Sequence, residues 1–356
     1  MMTPIVDAHL DIALNAMSGR DLTLPVDEIR RREPKRPDPA MTSLSDFALA
    51  GVALIGATLF VEPANSWLKD DLHGTLKPRV YYTPQEAQAQ ALEQLEMYER
   101  WQDQGLLRII TSQATLRDHL LQWQSDRKLG VIVLMESADP IVRVDDLPDW
   151  FARGVRMIGL SWGKTRYAGG TGSPGPLSVE GRELVQAMRE LKLIHDTSHL
   201  DEEAFWEAFE LGNHAVCASH SNARALLMPP PEVQPEIPQN RHLSDAMIQA
   251  IGRKDGMVGL NLLNAFLEPR WRIGGNGIEV RVDRQVRAQA EHIAALIGWE
   301  RIGIGSDVDA GFGAEEAPNG FQHAREYPNL AQIAPINFKD AVLGGNWLRF
   351  FDRHLP

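Results

Sequence analysis

Six side chains that commonly bind metals lie where predicted strands end. They are His9 and Asp11 in V-D-A-H-L-D, and Glu136, His199, His220 and Asp307 further along the chain. His9 and Asp11 are two residues apart, and the period of a strand places residues i and i+2 on the same face. Metal centres of hydrolases need imidazole and carboxylate ligands that converge on an open position. Together these residues predict a metal-dependent hydrolytic site, although each alone is equally compatible with a structural role.

The local sequence around each residue gives it a specific chemistry. Glu136 ends the apolar run I-V-L-M-E, where a metal or a salt bridge must partner it because burying an unpaired carboxylate is costly. His199 and His220 each end an apolar run, directly after a hydroxyl residue. Asp307 ends R-I-G-I-G-S-D and could ligate a metal, accept a proton from metal-bound water, or do both. His195 lies roughly 13 Å further down the strand of His199, which predicts a core role.

Strands and helices alternate along the chain, which is typical of βαβ units and a parallel sheet. We predict strands at 4–9, 52–61, 107–111, 131–136, 155–161, 193–199, 215–220, 257–263 and 302–307. Helices are predicted after the capping box Thr83-Pro84-Gln85-Glu86 to about Gln104, from Ser178 to about Leu191, and at 201–212, 243–253 and 283–298.

Nine strands are one more than an eightfold barrel needs, and we set 107–111 aside because no metal-binding type of residue follows it. The remaining eight carry the polar residues at the C-terminal ends of strands 1, 3, 5, 6 and 8, the face where barrel enzymes build their active sites. Closure of a barrel places the eighth strand beside the first, whereas the alternative, a doubly wound open sheet, would separate them. We therefore predict a distorted (β/α)8 TIM-like barrel with loop insertions, with residues 1–356 as one domain.

Two segments between these elements are predicted as loops. The Pro-rich segment Met228 to Pro238 is typical of a stiff loop. The segment Gly169-Gly170-Thr171-Gly172 does not open a helix as a phosphate-binding loop would, so we predict a flexible loop beside the site. Asp309, two residues after Asp307, is predicted to be a loop or supporting residue.

Composition restricts the class of partner and compartment. The net charge of −12 disfavours nucleic acid and anionic membranes as partners. The uncharged stretch from Phe47 to Val61 is 15 residues long, too short to span a bilayer. A single cysteine, Cys217, excludes an intrachain disulfide and favours a reducing compartment, so we expect a cytoplasmic protein with this thiol buried and inert.

The motifs D-A-H-L-D, V-L-M-E-S, D-T-S-H, S-H-S-N-A-R, R-H-L-S-D and G-I-G-S-D-V-D resemble those of the membrane (renal) dipeptidase family, which are binuclear zinc peptidases with a metal-dependent-hydrolase barrel. They follow the family's order from residue 7 to residue 309. The resemblance implies that the chain binds two Zn²⁺, one through His9 and Asp11 and the other through His199 and His220. It also implies that Glu136 bridges the two ions.

The same resemblance implies two roles in catalysis and binding. Asp307 would contact the first zinc and shuttle the proton, and Arg241, in R-H-L-S-D, would grip the C-terminal carboxylate of the substrate. Without the motif, a solvent-facing loop arginine would be the preferred interpretation. Three positions depart from the family pattern: Glu136-Ser137-Ala138 replaces E-G-G, Trp162 stands at a histidine near the scissile carbonyl, and Leu263 stands at a tyrosine.

Three hypotheses of function follow. The first is a zinc dipeptidase in which a hydroxide between two metals attacks the peptide bond of small dipeptides, including those with a C-terminal D-residue. The second keeps the metals but takes another amide, a lactone or a phosphoester, because Trp162 and Leu263 change the substrate pocket. The third is a non-catalytic metal-binding protein. Either a monomer or a homodimer is compatible with the sequence.

Overall fold

Eight parallel strands form a closed barrel in the computed structural model, which describes residues 3–64, 66, 80–212, 215–233 and 237–356. β1 pairs with β8, with Asp7 opposite Ile304, and β2 pairs with β3, so no edge is left in the ring. The predicted barrel is confirmed. Its strands are β1 Ile5–Leu10, β2 Val52–Leu59, β3 Leu129–Met135, β4 Val155–Gly159, β5 Ile194–Asp196, β6 Val216–Ala218, β7 Met257–Leu260 and β8 Ile302–Ile304.

The strand that we set aside lies outside the ring. Leu107–Ile109 pairs in parallel with the beginning of β3, with Ile109 opposite Val131. The pairing of β3 with β4 starts only afterwards, where Val133 lies opposite Val155. The extra strand therefore extends the sheet at one end of β3 without entering the barrel.

Helices follow the barrel strands and cover their outer surface. The capping box at Thr83 is present, with Pro84 as the first helical residue. The side chain of Ser178 caps the helix that begins at Val179 by accepting a hydrogen bond from the backbone N–H of Gly181. The predicted segment 283–298 is a π-helical turn, Val282–Val286, followed by a regular helix. The α-helices are α1 Ile12–Met17, α2 Val26–Arg32, α3 Leu44–Ala50, α4 Pro84–Asp103, α5 Gln113–Asp126, α6 Leu147–Ala152, α7 Val179–Glu190, α8 Glu202–Glu210, α9 Asp245–Arg253, α10 Arg287–Ile297 and α11 Asn346–His354.

The barrel strands are apolar because both of their faces are covered. Every residue of β2 and β3 is buried. Alternate residues of the barrel strands, such as Ile132 and Leu134 of β3, pack in one cluster with Trp347 and Phe351 of α11. The Trp347 indole donates a hydrogen bond to the carbonyl of Ile304, 3.0 Å away, which attaches α11 to the last strand.

One loop prediction was wrong. The glycine-rich segment forms an antiparallel hairpin of Ala168–Gly170 with Ser173–Leu177. A Cβ added to Gly169 would lie 2.4 Å from the backbone nitrogen of Gly175, so glycine is what allows the two backbones to approach each other. The hairpin is ordered by this close contact, which a count of glycines in the sequence does not reveal.

Two further sequence predictions concern the Pro-rich segment, which the structure describes in part, and the lack of a segment long enough to span a bilayer. Residues 234–236 of the Pro-rich segment lie outside the described residues, and beyond them a short 3-10 helix, Gln239–Arg241, begins after Pro238. Among the helices of the described residues, none is long and apolar enough to cross a bilayer.

Candidate active site

The structure places all six predicted metal-binding side chains at one end of the barrel. His9 is in β1 and Asp11 follows it, while the other four lie one to three residues after the ends of β3, β5, β6 and β8. His199 and Asp307 have positive φ angles of 65° and 60°, which only a constrained loop imposes on residues other than glycine. The chain therefore leaves β5 and β8 through turns that direct these two side chains into the mouth of the barrel.

Glu136 lies at the centre of the cluster. Its Oε2 atom is 3.4 Å from His9 Nε2, and its Oε1 atom is 3.5 Å from the Nε2 atoms of both His199 and His220. The Nε2 atoms of His199 and His220 are 3.0 Å apart. One carboxylate oxygen thus faces the histidine of β1, and the other faces the two histidines of β5 and β6.

The two aspartates lie on the side of His9. Asp307 Oδ1 is 3.8 Å from His9 Nε2, and its Oδ2 accepts a hydrogen bond of 2.8 Å from the amide of Asn261. Asp11 is buried and accepts a hydrogen bond from the hydroxyl of Thr58. The structure therefore gathers two carboxylates and one imidazole on one side of Glu136, and two imidazoles on the other.

Hydroxyl groups hold the three imidazole rings from behind. Ser219 Oγ is 3.0 Å from His9 Nδ1 and 2.8 Å from His220 Nδ1, and Thr171 Oγ1 is 3.0 Å from His199 Nδ1. Because the Nδ1 atoms are engaged, all three rings present Nε2 to the centre. This is the arrangement in which partners of a metal-binding histidine fix its ring.

Burial disfavours charge on the carboxylates of the cluster and on two of its imidazoles. Burial raises the pKa of Glu136 and of Asp307 to about 8 and that of Asp11 to about 7. Burial also lowers the pKa of His199 and of His220 well below the ordinary value, so both rings are neutral.

A metal fits this set of donors. His9 Nε2 and Glu136 Oε2 are buried and make no hydrogen bond to any described residue, and the Nε2 atoms of His199 and His220 point at each other. His9, Glu136 and His220 offer ligand atoms that lie within 4.8 Å of one another. Neutral imidazole nitrogens with carboxylate oxygens are the ligand set of catalytic zinc sites.

Arg241 lies against the cluster and not in solvent. Its side chain is 1% exposed. The guanidinium donates hydrogen bonds of 2.8 Å to the carbonyl of His220 and 3.2 Å to Ser221 Oγ, and it lies 4.8 Å from the ring centroid of Phe266. Its Nε atom is buried and has no hydrogen-bond partner in the part of the chain that the structure describes. Burial lowers its pKa to about 10, so the group stays positively charged at neutral pH.

The two pocket positions that depart from the family pattern lie differently. Trp162 is 7% exposed, with its ring centroid 5.7 Å from that of His199 and 5.3 Å from that of Phe60. Leu263 is half-buried, and its backbone N–H donates to Asn261 Oδ1. The tryptophan therefore forms an aromatic wall at the site, and the leucine lies beside the residue that holds Asp307.

Three residues that we assigned to other roles lie outside the cluster. His195 is buried within β5, and Cys217 is buried within β6, where burial raises the pKa of the thiol well above its ordinary value. Asp309 accepts hydrogen bonds from the backbone N–H groups of Met41 and Thr42. It thus holds the loop before α3, in agreement with its predicted supporting role.

Sequence reasoning did not single out the residues that hold the ligand side chains. Ser219, Asp196, Thr171, Asn261 and Thr58 each make a hydrogen bond to a member of the cluster or to a residue that orients one. One signal was present, since a serine directly precedes both His199 and His220. The others come from different strands and loops, and only the closed barrel brings them to the site.

Comparison with known proteins agrees with this geometry. The family model described as membrane dipeptidase (peptidase family M19) matches residues 1–354. An uncharacterized protein in the PQQ-III 3′ region of Acinetobacter calcoaceticus is 30% identical over 197 residues, which are 52% of this chain and 58% of that protein. Dipeptidase tcpJ of Claviceps purpurea is 26% identical over 182 residues, 50% of this chain and 38% of its own length. The chain thus matches less than two thirds of each of these two relatives.

A solved structure shares the fold over its whole length. A metallo peptidase from Rhodobacter sphaeroides, liganded with a phosphinate mimic of the dipeptide L-Ala-D-Ala, aligns over 99% of this chain and 100% of its own. The TM-score is 0.77 and the sequence identity is 22%. At that identity the likeness establishes a common barrel, and the chemistry must be argued from the residues of the site.

Proposed function

This chain belongs to the membrane dipeptidase family of metallopeptidases, and on that basis we propose that it is a two-zinc enzyme that hydrolyses small dipeptides. The observation that carries the proposal is the position of Glu136 between two groups of donors. Its Oε2 faces His9 and its Oε1 faces His199 and His220. A carboxylate whose two oxygens face different ligand groups is suited to bridge two ions.

We propose that His9, Asp11 and Asp307 hold one zinc, that His199 and His220 hold the other, and that Glu136 contacts both. When bound, divalent ions at such a centre polarise a carbonyl and lower the pKa of water. Five donor side chains around the carboxylate of Glu136 exceed what a single tetrahedral zinc requires, which supports a pair of ions. The chain's own side chains then orient the substrate and move the proton.

Asp307 is the group that we propose to carry the proton. Its Oδ2 is occupied by the amide of Asn261, whereas Oδ1 faces the centre at 3.8 Å from His9 Nε2. Oδ1 is therefore the atom that would accept the proton of the attacking water and give it to the leaving amine. A carboxylate fixed through one oxygen, with the other at the first ion and the reacting position, is suited to this role in addition to its contact with that ion.

We propose that Arg241 binds the C-terminal carboxylate of the dipeptide. The guanidinium is already fixed by the carbonyl of His220 and by Ser221, so little side-chain entropy is lost on binding. Its buried, unpartnered Nε–H remains available to a new acceptor. The ligand of the Rhodobacter sphaeroides structure, a mimic of L-Ala-D-Ala, supports dipeptides with a D-residue at this position.

A second candidate function is hydrolysis of another amide or of a lactone by the same centre. Trp162, 5.7 Å from His199 by ring centroids, favours it because an indole, which donates a hydrogen bond but stays neutral, replaces the family's imidazole near the substrate carbonyl. The two candidates and a non-catalytic metal-binding protein differ in which substrates, if any, they turn over.

The test is hydrolysis of a panel of L,L and L,D dipeptides and of lactones of similar size by zinc-loaded protein. Glu136→Gln is the matched control, because it keeps the shape of the side chain and removes its charge. We expect turnover of dipeptides that is lost in the control. Turnover of lactones alone would favour the second candidate, and zinc binding without turnover would refute both.

Two further expectations accompany the proposal. A reducing, cytoplasmic location is supported by the single buried thiol of Cys217, and fractionation of the source cell tests it. A homodimer is tested by sedimentation velocity.

A further inference from the structure

Ser219 joins two neighbouring histidines that face different oxygens of Glu136. Its hydroxyl oxygen is 3.0 Å from His9 Nδ1 and 2.8 Å from His220 Nδ1. The two rings are stacked, with centroids 3.5 Å apart. The same hydroxyl donates a hydrogen bond to Asp196 Oδ2. Ser219 and Asp196 are 0% and 1% exposed, so water does not compete for these contacts.

The number of protons and lone pairs leaves a single arrangement. A serine hydroxyl has one proton to donate and two lone pairs to accept with. The carboxylate of Asp196 only accepts, so it takes the serine's proton. Both Nδ1 atoms must then donate N–H to the serine's two lone pairs. Each ring consequently carries its free lone pair on Nε2, the atom that faces the cluster.

We propose that Ser219 and Asp196 are a positioning pair that sets the tautomer of His9 and His220 together, so that both ligand groups of the centre are ready for a metal at once. The inference rests on the two-metal site of the proposed function. Neither residue touches substrate or a reacting atom. Both act through the imidazoles, and one carboxylate thereby controls ligands of both ions.

The contacts of Asp196 make it possible to disturb this arrangement without removing a structural contact. Its Oδ1 accepts both backbone hydrogen bonds, 3.1 Å from the N–H of Ser198 and 2.8 Å from the N–H of Ser219. Among the described residues, its Oδ2 accepts only from the hydroxyl of Ser219. An asparagine can therefore keep both backbone bonds through Oδ1 and place an NH₂ group where Oδ2 was.

Asp196→Asn should force one ring into the wrong tautomer. The new amide donates to Ser219, and the proton of the serine must then point at His9 Nδ1 or His220 Nδ1. That ring has to accept on Nδ1 and carry its proton on Nε2, where it blocks a metal. The hydroxyl of Ser198 is the other acceptor near Ser219, but at 3.4 Å it is beyond the usual O–H···O distance, and it already accepts from the N–H of His220.

The experiment compares the parent with Asp196→Asn, Ser219→Ala, Ser219→Thr and the double variant. Metal content and affinity are measured by chelator competition with zinc, and ¹⁵N NMR of histidine-labelled protein identifies each ring tautomer with and without zinc. Asp46→Asn is the control for loss of a buried carboxylate, because Asp46 also accepts from a serine hydroxyl and a backbone N–H. It belongs to α3, and it also pairs with Arg325, so its loss of stability sets an upper value for such a change.

We expect Asp196→Asn to lower the affinity for one of the two zinc ions by about 10- to 100-fold, as is typical when a partner of a metal-binding histidine is lost. One ring of the pair should show the Nε2–H form. Ser219→Ala should lower zinc affinity less, because it does not force a proton onto Nε2 of either ring. Ser219→Thr keeps the hydroxyl group and should have the parent's affinity. The double variant should bind zinc no worse than Ser219→Ala, because the conflict disappears with the hydroxyl.

Two results would overturn the inference. One is an Asp196→Asn protein with the parent's zinc affinity and Nδ1–H on both rings. The other is a variant that loses thermal stability as Asp46→Asn does but keeps its tautomers. If Asp196→Asn does not fold, the contrast between Ser219→Ala and Ser219→Thr decides. A parent that binds one zinc yet shows the expected tautomers without metal would refute the two-metal function and leave the positioning pair standing.

Discussion

Replacing Arg241 with lysine tests how the enzyme would recognise a dipeptide. Lysine keeps the positive charge but replaces a planar fork of donors by a single ammonium group. The guanidinium of Arg241 donates to the carbonyl of His220 and to Ser221 while its Nε–H stays unpartnered. A lysine cannot hold these positions and a substrate carboxylate simultaneously, so we expect the variant to bind free dipeptides poorly.

The magnitude follows from the contact that is lost. A hydrogen bond to a charged group is worth about 1.5–3 kcal/mol, which corresponds to about 10- to 150-fold in kcat/KM. Losing the hydrogen bond to the carbonyl of His220 also lowers kcat/KM, because it disturbs the position of a side chain of the cluster. That cost is the same for every substrate, so the ratio of kcat/KM for a free dipeptide to that for its C-terminal amide isolates the part due to the substrate's carboxylate.

The assay compares one dipeptide and its amide with the parent, Arg241→Lys and Arg224→Lys. Arg224 is the matched control because it donates to the carbonyl of His242 and pairs with Glu202 away from the cluster. We expect the free-to-amide ratio to fall about 10-fold or more for Arg241→Lys and to stay unchanged for Arg224→Lys. Equal losses on both substrates would show that Arg241 only supports His220.

Three further predictions concern the metals and protons of the centre. Metal analysis should give two zinc equivalents per chain, and one equivalent in the parent would contradict this. Glu136→Gln should lower the affinity for both ions, because an amide cannot bridge two cations as a carboxylate does. Asp307→Asn should lower kcat by about 10²-fold or more while zinc content is checked in parallel, and near-parent turnover would exclude proton transfer by Asp307. Burial raises the pKa of Glu136 and Asp307 to about 8 and that of Asp11 to about 7, so without metal the folded chain holds these protons more tightly than the unfolded chain. The stabilisation is complete below about pH 4 and is lost as the pH rises through 7 and 8. The melting temperature of metal-free protein should therefore fall over that range, whereas zinc affinity, measured by competition, should rise because the metal displaces the same protons.

The positions of the metal-binding types of residue at strand ends were enough to predict the barrel. Runs such as I-V-L-M-E are too apolar for a strand with one face in water. The polar residue at the C-terminal end of each run indicates the end of the barrel at which the site lies. The strand Leu107–Ile109 could be set aside by the same reasoning, because no such residue follows it. Its position outside the ring, against the beginning of β3, confirmed the choice.

The supporting contacts could not be predicted because they depend on closure. Ser219 was visible as a hydroxyl before His220, but its contact with His9 depends on how β1 and β6 face each other in the barrel. The hairpin at Gly169 was predicted as a flexible loop because glycine signals freedom in a sequence and close approach in a fold. Arg241 was interpretable only through a motif, since nothing local distinguishes a buried arginine from an exposed one.

The seam between β1 and β8 has a consequence for the protein during its synthesis. Asp7 accepts a hydrogen bond from the backbone of Ser306, 299 positions away, and His9 meets Asp307 across the same seam. At typical rates of translation, tens of seconds separate the appearance of these two ends. A nascent or truncated chain that lacks β8 has neither the closed ring nor Asp307. The proposed peptide hydrolysis therefore requires a molecule whose translation has passed the last barrel strand.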